Sequence, residues 1–550
     1  VLPDRSGGQH HRAPELERHI VTAPYELIIE NGTVVDGSGE PAFAAAIGVR
    51  DGRLEVIRGE TDAPHAAARI DATGLVVAPG FIDLHSHSGL MIFADPLHEP
   101  KVRQGVTTEV IGVDGLSYAP IPNQDDLEAL IQMNAGLDGS PPEARPYDWS
   151  TVESYLDRLD ALRPSVNLAY LVGNSALRLA AIGWEMVEAS ASHVANMRAM
   201  LREAMEQGAI GLSSGLDYPP GAYATTGELA QLTTEARLYH THVRYDLGDC
   251  YLDPFREAIE IGRRGEGATH ITHFYHRQTF PDGPGPMLAL VDDARTEGLD
   301  VTFDTYPYEW ASTRLLIMIP PWVQAGGPMR TRERLADASV RDRIRRELVE
   351  RGVLYAGRNA WGDVRLGAFT RPELLRWESK TLGDVIADRG DDPVDVLCDL
   401  LIEEDLRVNQ VTPGPWTETL RDFIAHPVGM IGTDSTFVGA RPSPRTYGSF
   451  PRVLGQFVRE EALLSLEEAV RSMTSAPAAR LGLTDRGFVR DGHVADLVIL
   501  DPARVRSNAT YDEPRQFPDG IAWVVVAGDV VVEDGHHTGA RPGRVLRSGR

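Results

Sequence analysis

The 550-residue chain sets 54 lysines and arginines against 80 aspartates and glutamates, a formal net charge of −26, with 42% hydrophobic residues. That acidic excess repels phosphate backbones and argues against a nucleic-acid partner, while the length and apolar content suit one large domain with an accessory one. Cys250 and Cys398, the only cysteines, exclude a disulfide framework and fit a reducing cytoplasm, and no run of about 18 apolar residues offers a membrane span.

Residues 1–22 are polar and charged, where a secretory signal needs an apolar core. They are expected to be a loose extension. From 23 to 78 short alternating runs are broken by Asn31-Gly32 and Asp51-Gly52, which are hairpin signals. Residues 486–550 follow the same pattern, in FVRDGHVADLVILD and IAWVVVAGDVVVEDG. The two ends are expected to meet as one small β-sandwich.

Between them, over 79–485, apolar β-like runs alternate with helical stretches, which is an α/β pattern with a parallel sheet. The candidate strands are VVAPGFIDLHSH, TTEVIGV, NLAYLVG, AIGLSSGL, LYHTHVR, THITHFY, VTFDTYPY and VGMIGTDST. Eight such units predict a closed (β/α)8 barrel, a TIM-like fold whose chemistry sits at the C-terminal strand ends. One intervening segment, SHVANMRAMLREAMEQ, places Met197, Met200, Leu201 and Met205 at helical spacing, as a packing face would. The last two strands are separated by an insertion at about 309–427. It opens with WASTRLLIMIPPWVQAGGP, which suits either a lid or an extra packing layer.

His85 and His87 finish the first candidate strand two residues apart, so in an extended chain their imidazoles share a face. Alone, such a pair defines no site. However, His242 ends the fifth strand, His273 the sixth and Asp434 the eighth. Imidazole and carboxylate donors converging on one barrel mouth suit zinc or another divalent first-row ion, and two ions if a further group bridges them.

The motifs PGFIDLHSHSG, GVTTEVIG, SYAP, GLSSGLDYPPGAYA, THVR, TYPY with its following AST, IPPWVQAGG, GTDS, RTYGSFPRVLG, EEAVRSMTSAPAARLGL, DRGFVRDGHVADLVILD and TGARPGRVLR span nearly the whole chain after its N-terminal extension. Together they resemble the amidohydrolase superfamily and, within it, the N-acyl-D-amino-acid deacylases, or D-aminoacylases. The resemblance implies the barrel, the terminal sandwich and a zinc site. It makes His85, His87 and Asp434 ligands of one metal position, and His242 and His273 ligands of the other. Nearby His240, His270 and His276 fall outside its motif positions and are expected to be packing or supporting residues.

Two departures from the family pattern stand out. Where the family has a metal-holding cysteine, this chain has Gly112-Val113-Asp114-Gly115, which makes Asp114 the candidate bridge, with a plain turn residue as the alternative. A carbamylated lysine, the bridge of other superfamily members, is excluded in practice, because Lys101 and Lys380 are the only lysines. Second, the lysine that the resemblance places on the substrate carboxylate is replaced by Tyr275, which brings no charge at neutral pH. Tyr218, Ser312 and Arg445 match the remaining substrate contacts, Arg445 through a guanidinium fork suited to a carboxylate.

The function implied is metal-assisted hydrolysis of a small-molecule amide, most directly an N-acyl-D-amino acid, with Asp434 taking the proton from the attacking water and passing it to the leaving nitrogen. A cyclic-amide hydrolase of the hydantoinase or dihydroorotase kind and a non-catalytic barrel scaffold are the alternatives. A homo-oligomer stays open.

Overall fold

The computed structural model describes residues 25–59, 65–140, 147–351 and 361–548. The expected extension at 1–22 lies outside the described residues. Eight parallel strands form the barrel: β1 (Phe81–Asp83), β2 (Val106–Ile111), β3 (Asn167–Gly173), β4 (Gly211–Gly215), β5 (Leu238–His242), β6 (Ala268–Ile271), β7 (Val301–Thr305) and β8 (Gly429–Ile431). Every residue of β2 and β3 is buried, as expected for strands covered on both faces by barrel interior and helices. The ring closes between β8 and β1. There the Asp434 N–H donates to the His85 carbonyl at 2.8 Å and the His87 N–H to the Ser435 carbonyl at 3.1 Å.

One expected strand is in fact two. VVAPGFIDLHSH divides at Gly80: Val76–Pro79 pairs antiparallel with Leu497–Leu500 in the small domain, and only Phe81–Asp83 enters the barrel. A Cβ at Gly80 would come within 2.2 Å of the Thr107 side chain, so the chain crosses between domains where a side chain has no room. His85 and His87 therefore lie beyond β1, not inside it.

The small domain is a sandwich to which both chain ends contribute. A four-stranded sheet, ordered Arg53–Ile57, Ala46–Arg50, Tyr25–Glu30 and Ala66–Asp71, faces a seven-stranded sheet in which Leu497–Leu500 lies between Val76–Pro79 and Ile521–Val526. Ile29, Val49 and Val77 from the first end share one buried cluster with Leu497, Ile499 and Val525 from the other. The last strand, Val545–Leu546, leaves this domain and pairs with β3 at Leu168 and Ala169.

Two helices bear on the readings above. Ala191–Glu206 is capped by Ser190 and buries Met197 and Leu201, with Met200 and Met205 half-buried, so its methionine stripe is packing. Gln124–Asp138 starts at Asn123, whose side chain accepts from the Asp125 N–H at 2.9 Å, and ends on Asp138 at the site. Between β7 and β8, Trp310–Arg314, Asn409–Pro413 and Arg365–Gly367 form an antiparallel sheet. The following Leu315, Leu316, Met318 and Ile319 are buried in the main core.

Candidate metal centre

Asp114 stands at the middle of the barrel mouth. Its Oδ2 lies 3.2 Å from His85 Nε2 and 3.5 Å from each of His87 Nε2, His242 Nδ1 and His273 Nε2. Asp434 Oδ1 approaches the first pair, at 3.6 Å from His85 Nε2 and 3.3 Å from His87 Nε2. Two metal-competent groups result, His85–His87–Asp114–Asp434 and Asp114–His242–His273, with Asp114 in common and ligand atoms within 4.8 Å of one another in each. The structure thus brings together all six residues that the sequence nominates as ligands.

The backbone delivers these groups through unusual turns. Asp114, His273 and Asp434 take φ of 52°, 34° and 47°, left-handed conformations that cost a non-glycine residue and cluster at functional sites. At Gly115 a Cβ would come within 2.4 Å of both Asn174 Oδ1 and the Gly215 nitrogen, so the turn that aims Asp114 needs glycine there.

The second nitrogen of each imidazole faces an oxygen. His87 Nδ1 meets Asp138 Oδ1 at 2.8 Å, and Asp138 in turn accepts from the Tyr118 hydroxyl. His242 Nε2 meets Asp217 Oδ2 at 3.0 Å, His273 Nδ1 the Tyr245 hydroxyl at 3.1 Å, and His85 Nδ1 lies 3.5 Å from Asp304 Oδ1. Partners of this kind fix tautomer and ring orientation, leaving the inward nitrogen as the metal donor. Asp138, Asp217, Tyr245 and Asp304 were not singled out from the sequence. Asp217 lies within GLSSGLDYPPGAYA and Asp304 within VTFDTYPY, but nothing local marks a carboxylate as a histidine partner.

The centre attracts positive charge. Burial alone would keep His85 and His242 neutral, yet Asp114 with Asp434 and Asp304 raises His85 to about 10, and Asp114 with Asp217 raises His242 to about 9. Burial would likewise protonate Asp114, but the surrounding imidazoles hold it well below the usual carboxylate range. His242 Nδ1 and His273 Nε2 sit only 2.9 Å apart, and burial keeps His273 on the neutral side. Such a donor set suits divalent cations that take nitrogen and carboxylate ligands.

The remaining candidates surround this centre. The Tyr218 ring is tilted against that of His242 with centroids 4.9 Å apart, and its hydroxyl shares a hydrogen bond of 3.0 Å with Thr313 Oγ1. Ser312 Oγ meets Thr436 Oγ1 at 3.0 Å. Tyr275 lies 6.2 Å from the His273 ring and packs on Tyr306, with the Arg277 guanidinium 5.6 Å from its ring centre. Arg445, assigned from the sequence to a substrate carboxylate, sets Nη1 2.8 Å from Asp434 Oδ2 and donates from Nη2 to the Ser312 carbonyl. A cavity of about 260 Å³ opens alongside, lined by Arg277, Trp310, Met318, Gln410 and Trp416. None of the six candidate ligands lines it. It adjoins the centre through Arg277, which lies over the Tyr245 ring at 4.2 Å.

A model of the amidohydrolase family matches residues 68–244 and 329–532. The chain belongs to the amidohydrolase family. It is 36% identical to an N-acyl-D-glutamate deacylase of Alcaligenes xylosoxydans xylosoxydans, over 95% of this chain and 96% of that protein. It is 35% identical to a D-aminoacylase of the same organism, over 95% and 98%. Among solved structures it resembles an N-acyl-D-glutamate deacylase from Bordetella bronchiseptica complexed with zinc and a phosphonate mimic of the tetrahedral intermediate. There the identity is 34% and the TM-score 0.78, over 96% of this chain and all of that one. Among the described residues no helix is long and apolar enough to cross a membrane.

Proposed function

We propose that this chain is a zinc-dependent deacylase that hydrolyses N-acyl-D-amino acids to a carboxylate and a free amino acid. The observation that carries this reading is the placement of Asp434. One oxygen faces His85 and His87 beside the shared Asp114, while the other is held by Arg445. Zinc and the D-amino-acid substrate draw support from the named relatives. A reducing compartment such as the cytoplasm is supported by the two free cysteines.

In this reading His85, His87, Asp114 and Asp434 hold one ion, and Asp114, His242 and His273 a second. When bound, the metal polarises the scissile carbonyl and lowers the pKa of the attacking water. Burial would favour the neutral acid at Asp434, but the Arg445 guanidinium keeps it below the usual carboxylate range and thus ready as a base. The Asp434 carboxylate takes the proton as the water oxygen bonds to the acyl carbon. The same carboxylate delivers that proton to the nitrogen as the C–N bond breaks. Tyr218, Tyr275 and Ser312 orient the substrate, and Arg445 contributes by holding the base.

The test is a panel of N-acyl-D-amino acids, N-acyl-L-amino acids and cyclic amides, with metal content measured on the same preparation. Turnover of the D-series, abolished in a folded Asp434→Asn variant, is expected. Turnover of cyclic amides alone, or full activity in D434N, would overturn the assignment.

A further inference from the structure

Below the mouth of the barrel lies a second layer of ligand-type side chains that the deacylase reading leaves unused. His240 precedes His242 by two residues on β5, so it points into the same barrel interior roughly 6–7 Å further down. It is fully buried, and neither ring nitrogen has a hydrogen-bond partner among the described residues. Its ring stacks on that of His270 from β6, with centroids 5.0 Å apart. Asp304 from β7 completes the group, its Oδ2 lying 3.0 Å from His270 Nε2.

A neutral imidazole has one donor and one acceptor, and burying both without partners costs free energy that native interiors rarely leave uncompensated. A solvent molecule or an ion is needed at His240. Three features favour an ion. The donor atoms of His240, His270 and Asp304 lie within 4.8 Å of one another. His270 Nδ1 is occupied by Thr302 Oγ1 at 2.8 Å, the oxygen-backed arrangement seen at His87 and His242, which leaves Nε2 to face the centre of the group. The donor set, two imidazoles and a carboxylate from three adjacent strands, is the same chemistry as the outer centre.

We propose that His240, His270 and Asp304 form a third divalent-cation site, buried one layer beneath the catalytic centre and selective for zinc-like ions. Its ion ties β5, β6 and β7 together at the level where Asp304 Oδ1 accepts from the His273 N–H at 2.9 Å and faces His85 Nδ1. The inner ion is therefore structural and takes no part in proton transfer.

The experiment counts metal per chain in the zinc-loaded full-length protein and in its His240→Phe and His270→Phe variants, phenylalanine keeping a planar ring without a ligand nitrogen. It also locates zinc by anomalous scattering at the zinc edge in crystals. The expected result is one equivalent fewer in each variant than in the wild type, with the outer ions retained, and an anomalous peak among His240, His270 and Asp304 in the wild type only. Equal metal content in H240F and wild type, with no such peak, would mean ordered water fills the group and would overturn the proposal. So would loss of every ion in both variants, since the inner layer would then act only by supporting the outer ligands.

Discussion

Arg445 Nη1 and Asp434 Oδ2 face each other at 2.8 Å, both buried, with the guanidinium also over the Tyr306 ring at 4.3 Å. An arginine engaged in this way acts on the base first. Replacing Arg445 with Met should lower kcat by about 100-fold or more while KM changes only a few-fold, the mark of an interaction that matters at the transition state. Steady-state kinetics on one N-acyl-D-amino acid decides the matter. A large rise in KM at unchanged kcat would instead assign Arg445 to the substrate carboxylate, as its sequence motif suggests.

Asp114 is shared by both metal groups, so Asp114→Asn should reduce tightly held metal to one equivalent or less in the outer centre and activity by several orders of magnitude, whereas a turn residue would leave both unchanged. Metal binding must displace the protons held on His85 and His242, whose pKa values the neighbouring carboxylates raise to about 10 and about 9. Apparent zinc affinity should therefore climb by about tenfold or more per pH unit between 6 and 8. Competition titrations with a chelator at several pH values test this; a flat profile would show that these imidazoles are already neutral without metal.

Lys101 is wholly buried. Its Nζ contacts Asp83 Oδ2 and reaches Thr433 Oγ1 at 2.5 Å, while Asp83 Oδ1 accepts from the backbone N–H groups of His85 and Thr433. One ion pair thus fastens the segments carrying His85 and Asp434. Lys101→Met leaves Asp83 charged and unpaired in the interior, at a cost of about 3–5 kcal/mol. A Lys101→Met, Asp83→Asn double variant should recover part of that loss. Urea unfolding of the three proteins checks the order, and a single variant as stable as wild type would contradict it.

Glu109 accepts from the Ser88 hydroxyl at 2.6 Å and lies 2.9 Å from His98 Nε2. Burial would raise its pKa, but His98 and Lys101 overcome that and depress it from 4.5 to about 2. A depressed carboxylate stabilises the fold above its unfolded pKa and loses that contribution as pH falls through the folded value. Glu109 therefore adds on the order of 3 kcal/mol at neutral pH that disappears between about pH 4.5 and 2. Glu109→Gln should flatten that part of the stability–pH curve, measured by thermal unfolding.

The barrel and its candidate metal-binding side chains were legible because each left a local mark: a two-sided apolar run for a buried strand, and a histidine or aspartate just past its end. The division of VVAPGFIDLHSH was not, since Val76–Pro79 and Phe81–Asp83 are both apolar and only their partners assign them to different sheets. Asp138 illustrates a second limit. It ends a helix 51 residues after His87 and meets it only once the barrel is folded. The burial of Lys101 was also hidden, because a lone lysine in a helix normally belongs at the surface, and its carboxylate partners come from β1 and β2.

Closure of the ring has a consequence for the order in which the molecule matures. His85 and His87 are made well before the strand that completes their candidate metal group, which begins at Gly429 and delivers Asp434 almost 350 residues later. A nascent chain therefore carries an incomplete candidate chelate until β8 has been made. An ion held by the His85–His87–Asp114–Asp434 group would report that the first and last staves of the barrel have met, and a chain halted before β8 lacks one member of that group.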